Sequence, residues 1–207
     1  MNDSLILKQV RIQLENRCLV GVDQIISPGD VFTVMGPSGS GKSTLLAYVA
    51  GFLSPTFQAE GEIWLGNRDI THLPAESRGV GLLFQDPLLF PHLSVAGNLG
   101  FGLPQHTPNK AECIERALEQ INLSGFGNRD PATLSGGQKS RVALMRLLLS
   151  KPCAVLLDEP FSKLDTTLRR EMRDLVFSQL REAGLPSLLV THDQEDAQAA
   201  GGPLIEL

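Results

Sequence analysis

The sequence predicts an α/β protein with a largely parallel sheet, a run of short strands at the N-terminus and a helical lobe inserted over about 86–150. Three observations carry this. Buried-type apolar runs of four or five residues alternate with helical patterns, the signature of parallel strands joined by helices. One such run, Val31-Phe32-Thr33-Val34-Met35, leads through a Gly-rich loop into a helix. Between 86 and 150 the strand pattern lapses and apolar residues recur at helical spacing.

The elements follow in order. Leu5-Ile6-Leu7, Val10 to Leu14 and Cys18-Leu19-Val20 read as short strands separated by polar turns. Pro28-Gly29-Asp30 is a turn before the buried strand Val31 to Met35. A helix is expected from about Lys42 to Ala50, then strands at Gly61 to Leu65 and Val80 to Phe84. In the lobe, Ile114, Ala117, Leu118 and Ile121 fall on one helical face. Ser135 opens another helix, with Val142, Met145, Leu148 and Leu149 on its apolar side. Ala154 to Leu157 is a buried strand, Thr166 to Ala183 a long helix, and Ser187 to Thr191 a strand. A short helix near Asp193 to Ala199 and a last strand near Gly202 to Leu207 complete the pattern.

Composition narrows the class. With 207 residues the chain can bury a substantial core in one large domain. Its net charge is −5 with acids and bases interspersed, so no basic face for nucleic acid is expected. No apolar stretch reaches the roughly 18–20 residues of a membrane-spanning helix. The start, MNDSLILKQV, lacks the basic and apolar regions of a secretion signal, which points to a cytosolic protein. Cys18, Cys113 and Cys153 are expected to be buried or partly buried thiols of a reducing compartment.

The loop Gly36-Pro37-Ser38-Gly39-Ser40-Gly41-Lys42-Ser43-Thr44 fits the phosphate-loop pattern G-x-x-x-x-G-K-[ST]. Its glycines let backbone N–H groups wrap phosphate oxygens, Lys42 reaches the β- and γ-phosphates, and the Ser43 hydroxyl can ligate Mg²⁺. Leu157-Asp158-Glu159 ends a buried strand, where open parallel sheets bind ligands. Asp158 is placed to hold Mg²⁺, and Glu159, one residue beyond, to deprotonate an attacking water. Gln85 follows Val80 to Phe84 and can ligate Mg²⁺ or water; taken alone, a Gln before Asp-Pro is usually just a loop residue. His192 follows Ser187 to Thr191, where it can bond a γ-phosphate oxygen or serve a structural purpose. Asp165 can cap the next helix, line a site, or do both. Ser135-Gly136-Gly137-Gln138 starts a helix and so makes a second anion site, one more than a single nucleotide needs.

With these residues in hand, the chain resembles the ATP-binding cassette family of transport ATPases over essentially its whole length. The matching motifs are GPSGSGKST, Gln85, LSGGQ, AVLLDE, SKLD and His192, in the family's order and spacing. QDPLLFPHLSVAGNL is similar to the same stretch of bacterial importer ATPases. The resemblance implies a RecA-like P-loop NTPase core, an N-terminal antiparallel β subdomain and a helical lobe carrying LSGGQ, all within one domain over 1–207. Some family members add a C-terminal regulatory domain; the sequence stops at Gly202-Pro203-Leu204-Ile205-Glu206-Leu207, and none is expected here. It implies ATP and Mg²⁺ as ligands, with Ser43, Gln85 and Asp158 at the metal and Lys42, Glu159 and His192 in catalysis. A second copy of the chain would pair head to tail, so that Ser135, Gly136, Gly137 and Gln138 meet the ATP held by the partner. Membrane transporter subunits would dock through 86–99, where Leu88, Leu89, Phe90 and Pro91 are apolar; packing under the lobe is the alternative use of those residues. A periplasmic or surface substrate-binding protein would act indirectly, and the chain would sit on the cytoplasmic face of the cell membrane.

The family usually has an aromatic residue near the end of the first strand to stack on adenine. Here that place falls on Gln13 or Leu14, and no aromatic precedes Phe32. Weaker or less base-selective ATP binding is therefore expected. Two other functions compete. A soluble cassette ATPase acting on DNA or ribosomes would carry long insertions or two cassettes, and the sequence has neither. A low-turnover, nucleotide-gated interaction module is disfavoured by intact Glu159 and His192.

Overall fold

The computed structural model describes residues 4–15 and 17–207. Met1, Asn2 and Asp3, which open the segment read for a secretion signal and the expected 1–207 domain, lie outside the described residues, as does Asn16. The chain divides into two compact units. The first comprises 1–82, 153–159 and 173–207, and the second 83–152 and 160–172.

The first unit holds two sheets. β1 (Leu5–Leu14), β2 (Arg17–Ile26), β4 (Gln58–Leu65) and β5 (Arg68–Asp69) form an antiparallel sheet in the order β2-β1-β4-β5. The separate stretches expected at 5–7 and 10–14 are one strand. A bulge at Lys8-Gln9 interrupts their alternation and breaks the apparent period, and the Gln9 N–H is taken up by Asp23 Oδ1 at 3.2 Å.

The second sheet runs β6-β7-β8-β3-β9, from β6 (Val80–Leu83), β7 (Ala154–Asp158), β8 (Ser187–Thr191), β3 (Val31–Met35) and β9 (Leu204–Glu206). β7 with β8, β8 with β3 and β3 with β9 pair in parallel. β3, β7 and β8 are buried along nearly their whole length, which explains their unbroken apolar sequences. Leu5, Leu7 and Ile12 of the first sheet pack in one core with Phe32 and Val34 of the second and with Leu45, Leu46 and Val49 of α1 (Lys42–Ala50). Each such side chain withdrawn from water contributes ~1.5–3 kcal/mol.

Helix α1 ends on Gly51, and the last turn is held by Arg78. This buried guanidinium donates to the carbonyls of Tyr48, Val49, Thr71 and Leu73. Burial pulls Arg78 below the ordinary arginine pKa, yet four carbonyl acceptors keep a cation tolerable there. Cys18 and Cys153 are exposed and Cys113 is half-buried, which corrects the expectation for two of the three. Cys18 lies on the solvent side of β2, and Cys153 sits in the turn entering β7.

The second unit is helical. α2 (Val95–Gly102), α3 (Lys110–Gln120), α4 (Gly136–Leu149) and the first half of α5 (Thr166–Glu182) make it up. The expected lobe, 86–150, lies inside this unit, which also takes in 160–172. The sequence pattern could not show that part of a continuous helix clusters with the lobe. The last helix, α6 (Gln194–Ala200), is back in the first unit and is capped by Asp193.

Candidate functional site

Strand β3 delivers the chain to the glycine loop, and α1 leads away from it. Gly39 and Gly41 have φ of 84° and 99°, left-handed values that favour glycine. A Cβ on Gly41 would also lie 2.7 Å from Val20 Cγ2, so strand β2 closes in on the loop from one side. Gly41 caps α1 and has no side chain to bond the first-turn N–H groups, which suits a helix start that takes an anion. Ser40 Oγ is buried and has no hydrogen-bond partner. An orphaned hydroxyl beside open backbone donors fits a phosphate group.

Lys42 is buried and curls back, its Nζ donating to Gly36 O at 2.8 Å and Pro37 O at 2.9 Å. The same Nζ stands 3.9 Å from Glu159 Oε1. Ser43 Oγ donates to Asp158 Oδ1 at 3.2 Å, which brings the start of α1 to the end of β7. Burial, reinforced by the neighbouring Glu159 charge, pushes the Asp158 carboxyl above the ordinary aspartate pKa, against the Ser43 bond and Lys42. A carboxylate desolvated this way has much to gain from a cation. Among the described residues no cluster of three or more His, Cys, Asp or Glu could hold a metal. A cation between Ser43 and Asp158 would take its remaining ligands from phosphate and water, as Mg²⁺ does.

Glu159 adopts φ 43°, an unusual conformation for a glutamate. Its N–H is bonded to Val190 O on β8, which fixes it one step beyond the sheet edge. His192 Nδ1 lies 3.0 Å from Glu159 Oε2, with the imidazole half-exposed. The first unit thus brings Lys42, Ser43, Asp158, Glu159 and His192 together. Leu14 lies at the end of β1, partly exposed and paired with Arg17 across the hairpin.

The other residues singled out belong to the second unit. Ser135 caps α4, accepting from Gln138 N at 3.3 Å, while Gln138 Oε1 accepts from Ser135 N at 2.9 Å. Gly136 is exposed, and a Cβ there would meet nothing within 4 Å. Gly137 is buried against Leu168. Asp165 caps α5, accepting from Leu168 N at 3.1 Å. Arg169 donates to the carbonyls of Ser162 and Leu164 in the same loop. Gln85 is exposed, and the next residue, Asp86, pairs with Lys163.

Residues 86–99 are braced by two groups that sequence reading passed over. Asn98 is wholly buried, accepting from Phe90 N and donating to the carbonyls of Phe90, Leu93 and Ser94. Arg146 donates to Pro87 O and Leu88 O and lies over the Phe90 ring. Phe90 is therefore packed within the unit, with Phe101 against it at 4.6 Å between centroids. Leu88 and Phe101 are exposed apolar groups, as is Phe84 just before this stretch. A polar residue inside an apolar helix, as Asn98 is in Val95-Ala96-Gly97-Asn98-Leu99, was the available signal.

Among the described residues no helix is long and apolar enough to cross a membrane. A family model described as ABC transporter matches residues 19–162. The Uncharacterized ABC transporter ATP-binding protein YnjD of Escherichia coli (strain K12) is 47% identical over 94% of this chain and 91% of its own length. The Fe(3+) ions import ATP-binding protein FbpC of Pasteurella multocida (strain Pm70) is 41% identical over 99% of the chain, which spans 59% of that relative. The Spermidine/putrescine import ATP-binding protein PotA of Frankia alni is 48% identical over 85% of the chain, which spans 38% of that relative.

Proposed function

The chain belongs to the ABC transporter family as an ATP-binding subunit with ATPase chemistry, and on that premise we propose that it energises a bacterial importer by closing and reopening as a head-to-tail pair around ATP. The observation that carries this reading is the convergence of Ser43 with Asp158, at 3.2 Å, and of His192 with Glu159, at 3.0 Å. Residues 36–44 hold the phosphates, with Ser40 Oγ and the first turn of α1 as donors. Lys42 leaves the carbonyls of Gly36 and Pro37 for the phosphate oxygens. Ser43 and Asp158 would hold Mg²⁺, which would supply positive charge against the phosphates. Glu159 accepts the proton of the attacking water, and His192 bonds the γ-phosphate while aligning Glu159.

Ser135 and Gly136 serve the nucleotide of the partner chain. The exposure of Gly136 supports this, because backbone there is open to an incoming phosphate. Leu88 and Phe101 form the apolar patch for a membrane subunit, with Gln85 and Asp86 beside it in sequence. A substrate-binding protein would act through those membrane subunits. Relatives are named for the import of Fe(3+) ions and of spermidine/putrescine, which supports a small solute as cargo.

The test is Glu159→Gln. With ATP it should accumulate as a dimer in sizing experiments and lose turnover by about 100-fold or more, the lower end of what a general base supplies. Parent-like turnover in this variant overturns the base assignment. Turnover of the parent should rise more than linearly with protein concentration.

A further inference from the structure

Helix α5 carries an arginine that is nearly buried and faces three carboxylates. Arg173 Nε donates to Asp196 Oδ1 at 2.5 Å and Nη1 to Glu195 Oε2 at 2.7 Å, while Nη2 lies 3.2 Å from Asp193 Oδ2. Arg173 is 7% exposed and Asp196 3%, so this is no loose surface pair. Burial opposes the arginine's charge, but the bonds to Glu195 and Asp196 outweigh it and hold Arg173 above the ordinary arginine pKa. Removing Arg173 would leave the Asp196 carboxylate buried without its cation, whereas Glu195 is largely exposed.

All three acids lie just after His192, and the network also reaches back before it. Thr191 Oγ1 donates to Asp196 Oδ2 at 2.9 Å and accepts from Asp193 N at 3.0 Å. Asp193 Oδ1 accepts from Glu195 N and Asp196 N at the start of α6. Both chain neighbours of His192 are therefore linked to one guanidinium, Asp193 by ion pairing at 3.2 Å and Thr191 through Asp196. His192 itself is left exposed, its Nδ1 toward Glu159. We propose that Arg173 is the positioning residue of His192: it fixes the backbone on both sides of the histidine and so aims the imidazole at Glu159. A planar fork that reaches three carboxylates at once suits this task, and the single ammonium of a lysine does not. The proposal rests on the role given to His192 above.

Two variants test it, Arg173→Lys and Thr191→Val; the second removes the hydroxyl link while keeping shape and leaving Arg173 in place. In nucleotide-free protein the imidazole ¹H–¹⁵N signals of His192 should shift or broaden in both variants, while those of His72, His92 and His106 stay put. ATP affinity should hold within about twofold, with turnover down about tenfold, a geometric loss of the size expected for a misaligned group. In a His192→Ala background, Arg173→Lys should lower the residual turnover no further, because its effect runs through the missing ring. Unmoved His192 signals in folded Arg173→Lys and Thr191→Val overturn the proposal. So does an Arg173→Lys loss of equal size with and without the histidine. If His192→Ala alone leaves turnover intact, the role given to His192 falls instead, and the ring signals still decide what Arg173 does.

Discussion

Gly137 meets Leu168 so closely that a Cβ on the glycine would fall 2.5 Å from both leucine methyls, whereas Gly136 beside it faces open space. The two glycines of one motif therefore have separate reasons to be glycine. Alanine at 136 gains helix propensity, worth up to ~1 kcal/mol, and should leave the fold at least as stable while lowering turnover. Alanine at 137 must displace Leu168 and should be less stable than the 136 variant by about 1–3 kcal/mol. Adding Leu168→Ala should narrow that gap in urea unfolding. A 137 variant as stable as the 136 variant would disprove the packing argument.

The β4–β5 hairpin should set part of the acid limit of stability. Thr71 donates to Asp69 Oδ1 from its N–H at 2.9 Å and from its hydroxyl at 2.6 Å, and the hydroxyl bond is the larger cause of an Asp69 pKa below the ordinary value. A depressed folded pKa contributes stability that is present above the unfolded value and lost as pH falls through the folded one. Asp69→Asn should therefore lower the urea midpoint at neutral pH, and the difference from the parent should shrink as pH drops below the usual aspartate range. A constant difference across that range would rule out the linkage.

Leu14 is 36% exposed at the strand end where relatives are expected to stack on the base. Leu14→Tyr should tighten ATP by about fivefold or more, given ~1–3 kcal/mol for base–aromatic stacking. The parent should separate ATP from GTP poorly, and the variant should do so better. Titrations with both nucleotides check this, and strong adenine preference in the parent would show that another group reads the base.

The proposed docking patch can be separated from the scaffold beneath it. Leu88→Asp or Phe101→Asp should abolish assembly with the membrane subunits and leave ATP binding and thermal midpoint close to the parent. Phe90→Asp should instead lower the midpoint, because Phe90 lies under Phe101 and beside Arg146. Co-purification with membrane subunits and thermal melts distinguish the two outcomes.

Much of this was legible in the sequence where one physical rule dominates. The helix predicted over Lys42 to Ala50 and the strands Val31 to Met35 and Ser187 to Thr191 are found with those bounds, because a phosphate loop, a glycine cap and unbroken apolar runs leave little choice. The 5–14 strand was split because a bulge inverts its alternation at Lys8-Gln9. Of the site, the residues of recognisable motifs were evident, yet what braces them was not. Arg78, Asn98, Arg146 and Arg173 are polar residues committed to partners 4 to 59 positions away, and polarity alone marks such residues as surface. The exposed Cys18 and Cys153 show the converse, apolar-type residues placed by alternation and a turn rather than by hydrophobicity.

Glu159 holds its left-handed backbone while carrying a side chain that disfavours it. Strain of this kind costs on the order of 1–3 kcal/mol, and glycine or asparagine at that position would release much of it. On the catalytic role proposed for Glu159, selection for heat resistance and selection for turnover pull residue 159 in opposite directions. A library screened only for survival at high temperature should drift toward glycine or asparagine there, yielding sturdier chains that bind ATP and no longer consume it.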